Sequence, residues 1–465
     1  MTDFASLLQA DRGGPAHVVH LVDKNSFGDW LKRQSAARRH LLEASRFEGK
    51  TGFQFAILPA TQGNEWEVVS TVANVDQLSP WCLARLAEAL PEGTYRMAEG
   101  DPGPAMLGWL LGQHRFTAYK SSNEDKRGSR ILLTKEAADI ERTVSIAQAT
   151  ALVRDLVDTP AADLGPAELE AVAQELAKKF SAKLEVTSGD TLQQQFPMIA
   201  AVGQGATRER APRLIELRWG KEAAPRIAIV GKGVCFDSGG LDIKSASGMR
   251  LMKKDMGGAA HALALARLVM EQRLPVRLHL LVPAVENSIS AGAFRPGDVL
   301  DSRKGLKVEI DNTDAEGRLV LGDALAKAGE EKPELILDFA TLTGAARIAL
   351  GPDLPALFAN DDELAADLEA ASRRVTDPVW RMPLWDGYDE MLKSDLADLS
   401  NAADSPMAGS VTAALFLRRF VPEGTPWGHF DTFAWRPSSK PGRPKGGDAL
   451  GLRTAFAMLE ARYPR

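Results

Sequence analysis

The stretch RIAIVGKGVCFDSGGLDIK, residues 226–244, combines the two patterns that decide the fold. Its first part, Arg226–Val230, is a short apolar run rich in β-branched residues, which is typical of a buried strand. Glycines then follow at high density and let the backbone fold tightly around a small ligand. In a parallel sheet, ligands bind beyond the carboxyl ends of the strands. The stretch therefore predicts a ligand-binding loop at such an edge.

The chain that follows continues this alternation of apolar strand-like runs with helical runs. The alternating elements are the helix at Gly258–Gln272, the strands at Val276–Val282 and Leu306–Ile310, the helix at Gly322–Ala328 and the strand at Leu335–Phe339. This order is typical of an α/β fold whose helices cover both faces of a sheet. We therefore predict a C-terminal domain with a central mixed, mainly parallel sheet flanked by helices.

The length of 465 residues indicates two or three folded units. Strand-like runs at His17–Val22 and Phe53–Leu58, together with a helical run at Trp81–Leu90, predict a smaller N-terminal α/β domain. The predicted boundaries are residues 1–135 for this domain, residues 136–160 for a linker helix and residues 161–465 for the C-terminal domain.

Two polar stretches are predicted to be surface loops. Lys120–Arg130 is bounded by the apolar runs Phe116–Tyr119 and Ile131–Leu133, which fits a solvated loop between two strands. Pro437–Gly447 is rich in proline and glycine and precedes a final helix at Leu452–Arg462. Neither stretch needs a functional explanation.

The composition is that of an ordinary globular protein, with 45% hydrophobic and 25% charged residues. A net charge of −6 gives no overall attraction to nucleic-acid phosphates, although a local basic patch stays open. Cys82 and Cys235 are too few and too far apart for a disulfide framework or a cysteine zinc site. Because neither a signal-peptide pattern nor an apolar run of bilayer length is visible, we expect a cytoplasmic protein.

A second unusual loop, DNTDAEGRL at residues 311–319, follows the strand predicted at Leu306–Ile310. If its middle is extended, the period of two directs Asp314, Glu316 and Arg318 to one side. A further carboxylate, Asp255, is predicted to begin the helix after the first glycine-rich loop. The alternative for each acid is a helix cap or a surface ion pair.

Several familiar motifs are incomplete or out of context. The glycine-rich stretch lacks the P-loop spacing, and Arg208 stands where a dinucleotide fingerprint needs its third glycine. The tetrapeptide at residues 237–240, DSGG, imitates a serine-protease nucleophile, so a serine hydrolase using Ser238 is a minor alternative. His261 and His279 are predicted helix and strand residues, which leaves no imidazole zinc motif.

The motifs together resemble the leucyl aminopeptidases, also called cytosol aminopeptidases. The octapeptide NTDAEGRL at residues 312–319 matches the family signature in full. The glycine-rich stretch, MKKDM at residues 252–256 and ATLTG at residues 340–344 match in order and spacing. The resemblance covers the chain from about Asp155 onwards, whereas the N-terminal third matches only by position and general pattern. It implies that residues 161–465 are a catalytic metallopeptidase domain.

This resemblance implies two divalent metal ions per subunit, manganese or zinc. The implied ligands of one metal are Lys232, Asp237, Asp255 and Glu316. The implied ligands of the other metal are Asp237, Asp314 and Glu316. Such a site accounts for an acidic cluster without histidine, while the identity of the metal stays open.

The implied activity is hydrolysis of the N-terminal residue from peptides that have a free amino terminus, through a hydroxide bridging the metals. Lys244 matches the family's catalytic lysine, whose ammonium stabilises the developing oxyanion. Arg318 matches the arginine that holds a bicarbonate in relatives, and its planar fork suits that ion. Without the resemblance, an exposed lysine and an ion-paired arginine would be the better interpretations.

The resemblance also identifies a pocket for the substrate's first side chain. Its implied residues are Met252, Thr341, Leu342 and Gly344. Relatives usually carry small residues after the strand that here reads HFDTFA, residues 429–434, and this segment is shorter and bulkier. If Phe433 lines the pocket, a preference for leucine is in doubt, and we predict a shallower or altered pocket. Asp338 is predicted to begin a loop and to satisfy backbone donors, and the aromatic-rich segment Trp427–Trp435 is predicted to be core.

The resemblance further implies a homohexamer. Separately, the lack of an apolar run of bilayer length predicts no membrane association. An alternative function is architectural or regulatory DNA binding, which some members of the family perform. Because 56 basic residues face 62 acidic ones, a basic groove would have to arise from assembly.

Overall fold

The computed structural model describes residues 2–50, 52–60, 66–121 and 128–465. They form two compact units, one comprising residues 1–151 with 438–445 and the other residues 152–437 with 446–465. The division falls within the helix α5, Ile140–Asp158, in the region where a linker helix is predicted. Among the described residues, no helix has both the length and the apolar character needed to cross a membrane.

The first unit is a six-stranded sheet with flanking helices. Its strands are β1 (Leu8–Ala10), β2 (His17–Val22), β3 (Phe55–Pro59), β4 (Trp66–Thr71), β5 (Gly93–Met97) and β6 (Arg130–Thr134). Its helices are α1 (Phe27–Lys32), α2 (Ala36–Ala44), α3 (Ala84–Ala89) and α4 (Ala105–Leu111), with the first part of α5. The strand order is β1-β6-β5-β2-β4-β3, and only β3 runs antiparallel to its neighbour. The predicted α/β character of this unit is confirmed.

The structure describes one of the two predicted loops in part and the other in full. Phe116–Tyr119 is not a strand, because this segment leaves α4 through turns and makes no ladder. Part of the loop predicted at Lys120–Arg130, residues 122–127, lies outside the described residues. The loop predicted at Pro437–Gly447 is closed by a short antiparallel pair of strands, Trp435–Arg436 and Gly446–Gly447.

The second unit contains the main sheet and a small three-stranded sheet. Its strands are β7 (Lys183–Ser188), β8 (Arg213–Trp219), β9 (Arg226–Gly231), β10 (Gly233–Asp237), β11 (Arg277–Asn287), β12 (Val299–Asp301), β13 (Lys307–Glu309), β14 (Leu335–Ala340), β15 (Ala356–Ala359), β16 (Trp380–Arg381), β17 (Leu399–Ser400), β18 (Trp427–Asp431), β19 (Trp435–Arg436) and β20 (Gly446–Gly447). Its helices are α6 (Pro166–Phe180), α7 (Gly189–Gln195), α8 (Pro197–Gly203), α9 (Ala246–Met249), α10 (Gly257–Glu271), α11 (Glu316–Gly329), α12 (Gly344–Leu350), α13 (Asp362–Val375), α14 (Gly409–Arg418) and α15 (Leu452–Arg462).

The main sheet has the order β16-β15-β18-β14-β9-β11-β8-β7, with β10 also paired to β11. Its centre is parallel, whereas β8 and β7 on one side and the β15–β18 pair on the other are antiparallel. The predicted mixed, mainly parallel sheet is therefore confirmed. The strand predicted at Leu306–Ile310 is correct in position, but β13 belongs to the small sheet with β12 and β17.

The two faces of β9 pack against different helices, as the strand period requires. Ala228 and Val230 belong to a buried apolar cluster that includes Leu319 and Leu325 of α11. Gly231 has the opposite parity and lies against Ala262 of α10. Helices therefore cover both faces of the sheet, and both α10 and α11 begin beside the carboxyl ends of the central strands.

The prediction that Asp338 begins a loop is wrong, because this residue lies inside β14. Its carboxylate is fully buried and accepts hydrogen bonds from Trp427 Nε1 and His429 Nδ1, both at 2.6 Å. The partners are thus side chains of the neighbouring strand β18 and not backbone donors. Asp338 and the aromatic segment around Trp427 belong to the core.

The beginning of α10 packs very closely on the sheet, and Gly258 permits this contact. A Cβ at this position would lie 2.1 Å from the carbonyl oxygen of Phe339 and 2.8 Å from the amide nitrogen of Lys232. We expect Gly258→Ala to lower the free energy of unfolding by about 1–3 kcal/mol, because backbone atoms must shift to admit the methyl group. Gly292→Ala is the matched control, since its nearest neighbour would lie at 3.7 Å. Equal urea midpoints for the two variants would contradict this account.

Candidate metal centre

Lys232 follows the parallel strand β9 and points into the protein beside two acids. Its backbone is fixed on both sides, because its amide donates to Phe339 O at 3.0 Å and its carbonyl accepts from Ala259 N at 2.8 Å. The side chain is 2% exposed, and Nζ lies 2.7 Å from Asp255 Oδ2 and 2.9 Å from Glu316 Oε1. The glycine-rich stretch thus places a lysine at the carboxyl edge of the sheet, as the sequence predicts.

Asp237 ends β10, and the turn after it needs two glycines. Gly239 and Gly240 adopt φ values of +88° and +66°, which disfavour other residues. The turn lets the Gly239 amide donate to Asp237 Oδ1 at 2.8 Å. It also brings Lys244 back, so that Nζ lies 2.8 Å from Asp237 Oδ2 and contacts Asp314 Oδ1 as well. Lys244 therefore joins the two loops that carry these acids.

Asp255 is not a helix cap, in contrast to the alternative considered from the sequence. It lies in a short 3₁₀ helix, Met252–Met256, immediately before α10, and its side chain makes no cap hydrogen bond. Oδ1 accepts from the Thr341 hydroxyl at 2.8 Å, while Oδ2 faces Lys232. The 3₁₀ turn therefore directs this carboxylate towards the first loop.

The loop at residues 311–319 is not extended, so the predicted reason for its convergence is wrong. Residues 313–314 form a turn, and Glu316 and Arg318 lie in the first turn of α11. Thr313 fixes the turn by donating from its hydroxyl to Gly239 O at 2.7 Å and from its amide to Asp242 Oδ2 at 2.7 Å. A turn followed by a helix start brings the acids together, and the extended segment considered from the sequence is not formed.

Two asparagines that the sequence did not single out hold this arrangement. Asn287, the last residue of β11, donates from Nδ2 to Asp237 Oδ1 at 2.9 Å and to Thr313 O at 3.1 Å. Asn401 donates from Nδ2 to Asn312 O at 2.7 Å, and its backbone carbonyl oxygen accepts from Arg318 Nη1 at 2.7 Å. Both asparagines are at most 1% exposed. No local motif marks them, because they lie far from their partners in the sequence.

A cavity of about 400 Å³ collects all the residues predicted for the site. The predicted residues in its wall are Lys232, Asp237, Lys244, Met252, Asp255, Asp314, Glu316, Arg318, Thr341, Leu342 and Gly344. Lys254 and Arg347 also line it, and the sequence interpretation missed both. Phe433 is not one of the residues that line the cavity. Its ring packs beneath the side chains of Arg347 and Lys254.

Within the cavity, three acids form the tightest group. Asp237, Asp255 and Glu316 each offer an oxygen within 4.8 Å of the others, and all three side chains are buried. Asp314 lies outside this group of described residues and is linked to it through Lys244. Glu316 Oε2 is buried without a hydrogen-bond partner in the described chain.

The surroundings shift the pKa values of these acids in opposite directions. Burial raises the pKa of Glu316 to about 8, Asp237 adds to the rise and Lys232 opposes it. Burial likewise raises the pKa of Asp314 to about 6, with Asp237 adding and Lys244 opposing. Burial also acts to raise the pKa of Asp255, but Lys232 and Lys254 outweigh it and hold that pKa below its ordinary value. Opposed shifts of this kind in one cavity are typical of functional sites.

Burial and the neighbouring charges also shift the pKa values of the basic side chains. Burial opposes the charge on Lys232, yet Asp255 and Glu316 hold the pKa of its ammonium above the usual value. Burial lowers the pKa of Lys254 to about 8; Asp255 opposes this change and Arg347 adds to it. Burial lowers the pKa of Arg318 to about 10 against the opposing charge of Glu316.

The residues behind the other sequence hypotheses have different partners. The Ser238 hydroxyl donates to Asn287 O at 2.7 Å and accepts from the Gly240 amide at 3.1 Å, so it is a turn residue and not a nucleophile paired with a base. His261 is buried in α10, where Nδ1 pairs with Gly257 O at 2.7 Å. His279 lies in β11 and pairs with Glu216 at 2.8 Å.

Two family models match the chain. The model of the cytosol aminopeptidase family, catalytic domain, matches residues 151–456. The model of the M17 aminopeptidase, N-terminal domain, matches residues 18–133. Between them the two models match most of each compact unit.

Curated relatives show the same similarity. The chain is 44% identical over 329 residues to a probable cytosol aminopeptidase of Syntrophotalea carbinolica, and the alignment covers 70% of this chain and 65% of that protein, just under two thirds of its length. It is 43% identical over 391 residues to a probable cytosol aminopeptidase of Roseiflexus castenholzii, covering 81% of this chain and 79% of the relative.

Solved structures extend the similarity to nearly the whole chain. The crystal structure of the cytosol aminopeptidase from Coxiella burnetii matches with a TM-score of 0.92 and 45% identity, over 98% of this chain and 99% of the other. The bottromycin maturation enzyme BotP in complex with Mn matches with a TM-score of 0.86 and 31% identity, over 97% of this chain and 100% of the other.

Proposed function

Because the chain belongs to the cytosol aminopeptidase family, we propose that it is a metal-dependent aminopeptidase that hydrolyses the N-terminal residue from peptides. The observation that carries the proposal is the buried group formed by Asp237, Asp255 and Glu316 in the wall of the cavity. Buried carboxylates this close together repel one another, so they are stable only when cations offset their negative charge. The arrangement of the three side chains allows them to share such cations.

The donor set fits divalent metal ions. Glu316 Oε2 is a buried oxygen without a hydrogen-bond partner among the described residues, and carboxylate oxygens suit manganese, magnesium and zinc. We propose two ions, manganese or zinc. The residues that would hold them are Lys232, Asp237, Asp255 and Glu316 for one, and Asp237, Asp314 and Glu316 for the other. Lys232 must give up its proton to serve as a ligand.

Two such ions supply, when bound, the activation of a water for attack and the polarisation of the scissile carbonyl. The chain contributes charge and position. Lys244, fixed between Asp237 and Asp314, places an ammonium where it can stabilise the negative charge that develops on the carbonyl oxygen. The wall formed by Met252, Thr341, Leu342 and Gly344 would receive the first side chain of the peptide.

The guanidinium group of Arg318 is only partly satisfied by hydrogen bonds within the described chain. Nη1 donates to the Asn401 carbonyl, whereas the buried Nε has no hydrogen-bond partner within the described parts of the chain. A guanidinium fixed at one corner and unsatisfied at another suits a small planar oxyanion. We propose that Arg318 would hold a bicarbonate ion here, which would supply a general base for the attacking water.

The resemblance also underlies our proposals that the chain acts in the cytoplasm and assembles as a homohexamer. Trp380 and Trp385 are 60% and 61% exposed, which supports burial of this surface in an assembly. Sedimentation at equilibrium should give six times the chain mass of 50.2 kDa. A monomer mass would refute the assembly and leave the proposed activity intact.

Removal of metal tests the proposed activity. We expect dialysis against a chelator to remove nearly all hydrolysis of an N-unblocked leucyl amide, and added manganese or zinc to restore it. The N-acetylated amide is the matched control, because a blocked amino terminus should not be cleaved in any state. Undiminished activity of the metal-stripped protein would contradict the metal-dependent mechanism.

A further inference from the structure

One end of the cavity carries positive charge that the proposed hydrolysis does not use. The Arg347 guanidinium carbon lies 4.8 Å from the centroid of the Phe433 ring, and Lys254 Nζ lies 5.8 Å from the same centroid. Both cations line the cavity. The Phe433 ring thus lies against two basic side chains at the edge of the site, at cation–π distances.

Arg347 has no counter-ion among the residues that the structure describes. Among the described residues, no carboxylate lies within 4 Å of its guanidinium, whereas Lys254 shares Asp255 at 3.2 Å. Arg347 is half-buried, and its neighbour Lys254 carries the same sign of charge. A partly desolvated guanidinium without an internal anion is expected to accept one from a ligand.

Glycine at position 344 leaves this guanidinium accessible. Gly344 and Arg347 lie one turn apart on α12, and Arg347 Nη2 is 3.5 Å from the position that a Cβ of residue 344 would occupy. Gly344 is also one of the residues proposed to surround the first side chain of the substrate. A side chain that enters from the carboxylate cluster would therefore meet the planar face or fork of Arg347.

We propose that Arg347 is a specificity-determining residue that selects peptides whose first residue is aspartate or glutamate. This inference rests on the proposed aminopeptidase function. A side-chain carboxylate would pair with two N–H groups of the guanidinium, whereas a leucine side chain would desolvate the same group without replacing its hydrogen bonds. Phe433 is a positioning residue, because it holds the plane of Arg347 against the cavity wall.

The test compares isosteric pairs of substrates on the manganese-loaded protein. Glutamyl, glutaminyl, aspartyl, asparaginyl and leucyl p-nitroanilides are suitable, because none of them carries a carboxylate on the leaving side. We expect kcat/KM for the glutamyl substrate to be about 10- to 100-fold higher than that for the glutaminyl substrate, which is the range for a hydrogen-bonded charge pair. The difference should lie mainly in KM.

The ratio within each preparation separates specificity from general loss of activity. Arg347→Met should reduce the ratio to about one, Arg347→Lys should retain part of it, and Arg347→Glu should favour lysyl over glutamyl substrate. Arg373→Met is the matched control; Arg373 is an exposed residue of α13, and its loss should leave the ratio unchanged.

Three results would overturn the inference. Leucyl turnover with a wild-type glutamyl-to-glutaminyl ratio near one would refute it while leaving the aminopeptidase function in place. A dependence on Arg347 seen only with dipeptides, and not with p-nitroanilides, would assign the guanidinium to the C-terminal carboxylate. No turnover of any substrate with manganese or zinc would remove both the inference and the proposed function.

Discussion

Glu316→Gln is expected to remove the metal-dependent activity almost completely. Loss of residues that only orient a metal ligand already costs about 10- to 100-fold, so loss of a carboxylate proposed to contact both ions should exceed about 100-fold in kcat/KM. Glutamine keeps the size of the side chain and an oxygen that can face Lys232 Nζ, which lies 2.9 Å from Glu316 Oε1. It removes the negative charge and replaces one acceptor oxygen by an NH2 group, which cannot bind a cation.

The fold should survive this change. Burial raises the pKa of Glu316 to about 8 because the charged form is poorly solvated at this position, so a neutral amide relieves that penalty in the metal-free protein. Circular dichroism should therefore show a folded variant. Metal content after equilibration with manganese, measured by mass spectrometry, should fall below that of the wild type.

Glu363→Gln provides the comparison, because Glu363 is an exposed residue in the first turn of α13. It should keep both the metal content and the activity. If Glu316→Gln bound manganese as the wild type does and retained its rate, the assignment of Glu316 as a metal ligand would be wrong.

The elements that could be predicted from the sequence are those with a clear local period. The strand His17–Val22 and the final helix Leu452–Arg462 have the predicted bounds, and the strands at residues 226 and 335 begin where predicted. Such elements are determined by neighbouring side chains, since one face must be buried. The partner of a strand is not determined in this way, and β13 accordingly pairs outside the main sheet.

The site shows the same limit in a different form. The residues of the loop at 311–319 could be identified from their types and from a family resemblance, but its conformation could not. The sequence predicts convergence of its acids if the segment is extended, whereas Asp242 and Asn401 bind the loop from distant parts of the chain and impose a turn. Long-range hydrogen bonds of this kind leave no local pattern.

Residues that act through tertiary neighbours were missed for the same reason. Arg347 reads as an ordinary helix residue, and only the ring of Phe433, 86 positions later, fixes it at the cavity. Lys254 reads as a surface lysine in a basic pair, yet it is 1% exposed. Phe433, which the sequence suggested could line the pocket, lies behind these two side chains instead.

Asp448→Asn is expected to destabilise the second unit strongly. Asp448 is 2% exposed and lies between two buried guanidinium groups, with Oδ1 3.0 Å from Arg154 Nη2 and Oδ2 2.8 Å from Arg436 Nη2. Removing its charge takes the shared anion from both guanidinium groups and leaves Arg436 with only the exposed Asp353 as a charged partner. Breaking a buried ion pair from one side costs about 3–5 kcal/mol, so the urea midpoint should fall substantially.

The pH dependence of this difference follows from the sign of the shift. Burial acts to raise the pKa of Asp448, but Arg154 and Arg436 outweigh it and hold that pKa below the ordinary 3.8. A carboxylate with a lowered folded-state pKa contributes its full stability above the unfolded pKa and loses it as the pH falls towards the folded value. The gap in free energy of unfolding between wild type and Asp448→Asn should therefore be constant from pH 5 to 7 and shrink below about pH 4.

An exposed pair offers the matched control. Asp362 contacts Arg381 with side chains that are 91% and 38% exposed, so Asp362→Asn should cost less than about 1 kcal/mol at any pH. If the two variants lost similar stability at pH 7, the buried Asp448 cluster would not be a major source of stability. A gap that grew as the pH fell would require Asp448 to be protonated more readily in the folded than in the unfolded chain, which the two neighbouring guanidinium groups oppose.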